Sequence, residues 1–179
     1  CLGLTDVQTW RREELGVRNQ RKDKLFSEKE SYRWLKGYEA ANRIAFSAPE
    51  TTVVSISDRE GDIYEVLEKT PSEVNKAYWI IRSSLNRKTL EDHLKLRETV
   101  KALSPIGEIE FELPPGRIYN RDKSKRKPRK TRSVRQEVRA CTIKLCPPRR
   151  KGVMLDPVSI NVVHCIEIDP PNDEDKIEW

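Results

Sequence analysis

Apolar positions along this chain change their period several times, and each change marks an element. Trp34, Leu35, Tyr38, Ala41 and Ala45 recur at helical spacing, behind the Ser27–Glu30 capping-box pair and ahead of Pro49. This spacing predicts a helix over about residues 28–47. The run "TVVSIS", 52–57, is rich in β-branched residues and reads as a buried strand. Ile63, Val66 and Leu67 mark one face of a short helix that Pro71 ends. "AYWIIRS", 77–83, is almost continuously apolar, as in a strand covered on both faces. Strand, helix, strand predicts a parallel pair, 52–57 beside 77–83.

Elsewhere the pattern favours strands. "CLGLTDVQTW", 1–10, reads as a strand before an Arg-rich stretch. Residues 89–103 hold one or two short helices. "GEIEFELP", 107–114, alternates apolar and acidic residues, the mark of a half-exposed antiparallel strand. "VRQEVRACTIKLC" and "DPVSINVVHCIEID" are two further strands. The fold class expected is mixed α and β, with a domain-like division at residues 1–88 and 89–179.

Charge adds a partner to this picture. Residues 117–135 carry ten Lys or Arg and one acid, while the rest of the chain holds 25 bases against 28 acids. Such a block repels itself, so it reads as a solvated loop whose natural partner is a polyanion. No apolar run reaches the roughly 18 residues of a membrane span, and no signal peptide opens the chain. A soluble, cytoplasmic protein is expected. Cys1, Cys141, Cys146 and Cys165 lack zinc-site spacing, and His93 and His164 are remote from them, so buried free thiols are expected.

The acid cluster Asp58-Arg59-Glu60-Gly61-Asp62 follows the strand at 52–57. Asp58 stands at the strand's carboxyl end, where a side chain has a defined position. Mg²⁺ is held by one or two such carboxylates together with phosphate oxygens. An alternative reading is that Asp58, Glu60 and Asp62 only cap a helix, each contributing about 0.3–1 kcal/mol through the helix dipole.

"SDREGDIYEVL" resembles the second catalytic segment of bacterial insertion-sequence DDE transposases of the Y-R-E-K group, to which the kanamycin-resistance transposon's enzyme belongs. "SEKESYRWL" (27–35) resembles the helix before that motif, and "AYWIIRSSLNRK" (77–88) the strand after it, with its Arg-Ser pair. "SKRKPRKTRS" resembles the basic loop of the family's β insertion, and "INVVHCIEIDPP" with "KIEW" the strands that close it. The resemblance spans nearly the whole chain. It implies part of a ribonuclease-H-like catalytic core over 1–88. An antiparallel β insertion would occupy 89–179, with the basic loop at 117–135 and a return to the core at about 176–179.

The resemblance also implies an activity: metal-dependent cleavage and strand transfer at the ends of a transposon in double-stranded DNA. Two Mg²⁺ or Mn²⁺ ions would act in the complete enzyme, one activating the attacking oxygen and one stabilising the leaving oxygen. Asp58 matches the second Asp of the triad and would be both catalytic and metal-binding. The first Asp would lie upstream of Cys1 and the Glu downstream of Trp179, so this stretch reads as an internal fragment. One carboxylate cannot hold a metal pair; the isolated chain is expected to be inactive, with no ion stably bound.

Arg82 matches an Arg that contacts phosphates, although the family's next basic residue is Ser84 here; it also reads as a strand-end Arg reaching solvent. Arg59 reads equally as a phosphate contact or as a partner of Glu60 or Asp62. Trp179 matches a Trp that stacks a flipped base, with a core Trp as the other reading. Trp10, Trp34 and Trp79 are expected in cores. The loop bases Arg121, Lys123, Lys125, Arg126, Lys127, Arg129, Lys130 and Arg132 are expected to bind DNA backbone without reading sequence. The family works as a dimer on DNA; the fragment is expected to be a monomer. Outside the family, the same features would describe a non-enzymatic nucleic-acid-binding module or a degenerate transposase remnant.

Overall fold

Two parallel strands, β1 (Val54–Ser57) and β2 (Tyr78–Ile81), pair in register from Val54 opposite Tyr78 to Ser57 opposite Ile81. They come from a computed structural model that describes residues 3–4, 6–9, 25–69, 72, 74–91, 94–118, 127–150, 152–172 and 176–179, with backbone alone at 117, 118, 127 and 129. The chain is mixed α and β and divides into two compact units. The first comprises Cys1–Arg87 with Leu145–Ile160, the second Lys88–Lys144 with Asn161–Trp179.

In the first unit, helix α1 (Tyr32–Ser47) covers one face of the parallel pair. Leu35, Tyr38 and Ala45 form its buried stripe, and with Val66 and Ala77 they make a small core. Trp34, Trp79, Ile63 and Ile81 pack half-buried around it. Polar ties finish the packing. The Tyr38 hydroxyl donates to the Ala77 carbonyl at 2.9 Å, and the Asn42 side-chain oxygen accepts from the amides of Lys76 and Ala77 at 2.6 and 3.1 Å. Asn42 therefore fixes the entry to β2. Helix α2 (Tyr64–Leu67) is a single turn, and the Tyr64 hydroxyl donates to the Asp156 carbonyl at 2.7 Å, holding the 145–160 segment in this unit.

The parallel pairing agrees with the strand–helix–strand pattern, but burial of the pair does not. Among the described residues, only one face is covered. Val54, Ile56, Tyr78 and Ile80 point the other way, Ile56 being 74% and Ile80 59% exposed. An apolar run shows that a strand can be buried on both faces, not that a second layer is present. Helix α1 also begins later than expected. Its first residue is Tyr32, behind a 3₁₀ turn at Phe26–Glu28, and the Glu28 carboxylate accepts from the Leu25 amide at 3.0 Å. Glu30, the expected capping partner of Ser27, instead pairs with Arg33 at 2.9 Å. None of the described residues among 1–10 is in a strand.

The second unit is built on a three-stranded sheet ordered β3-β6-β7, formed by β3 (Gly107–Leu113), β6 (Arg132–Leu145) and β7 (Val158–Glu167). Strands β3 and β6 are antiparallel, from Gly107 opposite Val138 to Leu113 opposite Arg132, as the alternating pattern of 107–114 predicts. A small antiparallel ribbon, β4 (Gly116–Ile118) with β5 (Lys127–Arg129), lies almost wholly within the basic stretch, whose reading as a loop does not hold at these residues. One short helix, α3 (Leu96–Lys101), occupies 89–103. Cys141, Cys146 and Cys165 are free but half-buried rather than fully buried.

Candidate functional site

The carboxyl ends of β1 and β2 lie side by side. The register that sets Ser57 against Ile81 continues one step further, because the Arg82 amide donates to the Ser57 carbonyl at 3.1 Å. Asp58 and Arg82 are thus the next residues of two adjacent parallel strands, and both are exposed. Ligands of open parallel sheets collect at this end, where side chains leave the strands on defined backbone.

Beyond Ser57 the chain makes a 3₁₀ turn, Arg59–Gly61, with Asp58 at its start. The Asp58 Oδ1 accepts from the Glu60 amide at 3.0 Å. The helix-cap reading of Asp58 is therefore realised in part. It does not consume the residue, since an ionised carboxylate offers about four lone-pair sites over two oxygens. The turn is tight because Gly61 lies directly on Ser57. A Cβ at position 61 would stand 2.1 Å from the Ser57 Oγ and 2.6 Å from its Cβ.

Both other acids of the cluster are engaged. Arg33, on α1, donates through Nη2 to Glu60 at 2.5 Å and through Nη1 to Glu30 at 2.9 Å. Its guanidinium also lies 5.5 Å from the centre of a Trp34 ring. Asp62 is 8% exposed and does not serve as a solvated helix-start acid. Its Oδ2 accepts from the amides of Ser84 and Leu85 at 2.7 and 2.8 Å. Its Oδ1 accepts from Arg87 Nη2 at 2.6 Å and Nε at 3.2 Å, while Arg87 Nη2 also donates to the Asp62 carbonyl at 2.8 Å. One spacing argument grouped Asp62 with Glu60, and the fold separates them. A buried acid needs partners that sequence proximity does not reveal.

The remaining candidates are dispersed. Arg59 is exposed on the turn. Arg121, Lys123, Lys125 and Arg126 lie outside the described residues, and Lys127 and Arg129 are placed by backbone on β5. Lys130 is exposed. Arg132 also departs from the loop reading. It is the first residue of β6, and its guanidinium forms a bidentate pair with Glu167, whose side chain is 1% exposed. Burial alone would raise the Glu167 carboxyl. The hydrogen bonds from Arg132 and from the Ile177 amide, with the Arg132 charge, hold it below the ordinary carboxylate value.

Trp179 is held at its backbone. Its amide and carbonyl pair with Cys165 at 2.9 and 3.0 Å, and its side chain is 56% exposed. The neighbouring Glu178 accepts from Lys101 at 2.8 Å and lies 2.9 Å from His164 Nε2. Sequence spacing did not reveal this clamp, whose three members are far apart in the chain.

Among the described residues no three His, Cys, Asp or Glu side chains gather where an ion could be held. No helix among the described residues is long and apolar enough to cross a membrane. No family model matches the chain.

Proposed function

We propose that this chain is part of a DNA transposase that cleaves and rejoins phosphodiesters at transposon ends. The observation that carries the reading is that Asp58 and Arg82 directly follow the last paired residues, at the carboxyl ends of adjacent parallel strands. An acid and a guanidinium fork at neighbouring strand ends suit a metal-bridged phosphodiester. The acid takes one position on the ion and the fork binds phosphate oxygens. The order of elements around them supports the same reading: helix, strand, acid turn, strand, then a β unit carrying the basic stretch.

On this reading Asp58 supplies one of three carboxylates, and the resemblance assigns the other two to sequence beyond residues 1–179. When bound, two divalent ions supply activation of the attacking oxygen and stabilisation of the leaving one. Arg82 orients the backbone at the scissile step, and the basic stretch holds DNA without reading its bases. The apolar face of β1 and β2 that the described residues leave exposed supports a larger core, because parallel sheets are covered on both faces.

The decisive test is Asp58→Ala in the intact transposase. Cleavage of a transposon-end duplex with Mg²⁺ or Mn²⁺ should vanish while binding of that duplex persists; equal loss of both makes Asp58 structural. The 179-residue chain alone should show no turnover. A second reading, a non-enzymatic nucleic-acid-binding module, draws on the Asp58–Glu60 cap. It requires the intact wild-type protein to bind DNA and never cut it.

A further inference from the structure

The turn that carries Asp58 and the segment that carries Arg82 are tied together at both of their ends. At the near end the Arg82 amide donates to the Ser57 carbonyl. At the far end Asp62 takes the amides of Ser84 and Leu85 together with two nitrogens of Arg87. The Asp62 and Arg87 side chains are only 5% and 11% exposed, so neither is available to a ligand. Their carboxylate and guanidinium are used up inside the frame. The Arg87 guanidinium also lies 5.8 Å from the centre of the Tyr64 ring, which closes the frame against α2.

A buried charge pair is a poor means of stabilising a small core, since well-packed apolar residues often serve as well. What this pair adds is direction. Two backbone amides and a planar fork converge on one carboxylate, and each bond is angle-dependent. We infer that Asp62 and Arg87 are positioning residues, which hold Arg82 at a fixed spacing from Asp58 so that the two engage one phosphodiester of bound DNA. This rests on the transposase reading for its substrate class, and it adds a role to two residues that touch no DNA.

The test is a mutant cycle on DNA binding by the 179-residue chain, using a short duplex at several salt concentrations. Arg82→Ala should lower the salt slope by about 0.9, the value of one phosphate contact. Asp62→Asn with Arg87→Gln removes both charges and leaves no ion buried alone. It should lower the slope by the same amount, and combining it with Arg82→Ala should lower it no further. Amide exchange at Ser84 and Leu85 should quicken in the double variant while the melting temperature stays near wild type. Should the double variant unfold, Arg87→Lys keeps the charge without the fork and should give a smaller loss of slope that is likewise absent in the Arg82→Ala background.

A double variant, or Arg87→Lys, that binds with the wild-type slope overturns the positioning role. So does a loss that adds fully to that of Arg82→Ala. A wild-type chain whose affinity ignores salt overturns the DNA-binding reading itself, and the positioning role falls with it.

Discussion

The Arg82 amide reaches the Ser57 carbonyl at 3.1 Å, so Asp58 and Arg82 leave their strands as neighbours although 24 positions separate them in sequence. That one bond extends the β1–β2 register beyond its last strand pair. It turns two separately chosen candidates into one local arrangement. Everything beyond it depends on how closely the 58–62 turn packs back on the strand.

Gly61 decides that packing, and the contrast with Gly37 tests it. A methyl at position 61 would overlap Ser57, where the nearest atoms stand 2.1 and 2.6 Å away. Gly61→Ala should cost about 1–3 kcal/mol, as overpacking does, and should displace the Asp58 turn. A methyl at Gly37, within α1, meets nothing within 4 Å. Gly37→Ala should stabilise the chain by about 0.8–1 kcal/mol through helix propensity. Urea unfolding of both variants checks the pair; equal effects would refute the close contact.

The basic stretch should behave as two populations. Lys130 is exposed, whereas Arg132 is committed to Glu167. Replacing Lys130 by Gln should lower the salt slope of DNA binding by about 0.9 with no loss of stability. Arg132→Gln should do the reverse. It leaves Glu167 buried without its partner, a loss of about 3–5 kcal/mol, and it should leave the slope of any folded fraction unchanged. Binding titrations at several salt concentrations, with thermal melts alongside, separate the two.

How much of this was legible beforehand follows from the range of each interaction. The β1–β2 pair, α1 and β3, β6 and β7 were legible because their periods are local properties of the sequence. The place of Asp58 directly after a strand was legible because it ends a β-branched run. The role of Asp62 was hidden: its partners Ser84, Leu85 and Arg87 are 22 to 25 positions away. Arg132 was misplaced for a related reason. A charge run reads as one solvated block, and nothing local shows that its last member turns inward to a glutamate 35 positions on.

The one-sided covering of the parallel pair makes a prediction that sequence reasoning would have reversed. Ile56 sits in the middle of β1, where an apolar run implies burial, yet its side chain is 74% exposed. Ile56→Thr should therefore change the stability of the 179-residue chain by no more than about 0.5 kcal/mol, as at other surface positions. Leu35→Ala, on the covered side in α1, should cost about 2–5 kcal/mol. A cost for Ile56→Thr as large as that for Leu35→Ala would show that both faces are packed.

Acid should loosen the second unit through Glu167 and Glu178. Lys101, despite partial burial, and then His164 hold the Glu178 carboxyl below its ordinary 4.5. Burial opposes the same effect at Glu167, but Arg132 and the Ile177 amide prevail, so this carboxyl is lowered too. A carboxyl whose folded value is depressed stabilises the fold fully above its unfolded value. That contribution is lost as pH falls through the folded value. The melting temperature should thus be level with respect to these two groups from pH 7 down to about 5 and should fall below about 4.5. Glu167→Gln removes one titrating group. Its melting temperature should lie below wild type at pH 7, and the gap should narrow as the pH is lowered toward 3. A gap that stays constant across that range would mean that the Arg132–Glu167 pair does not carry the acid sensitivity.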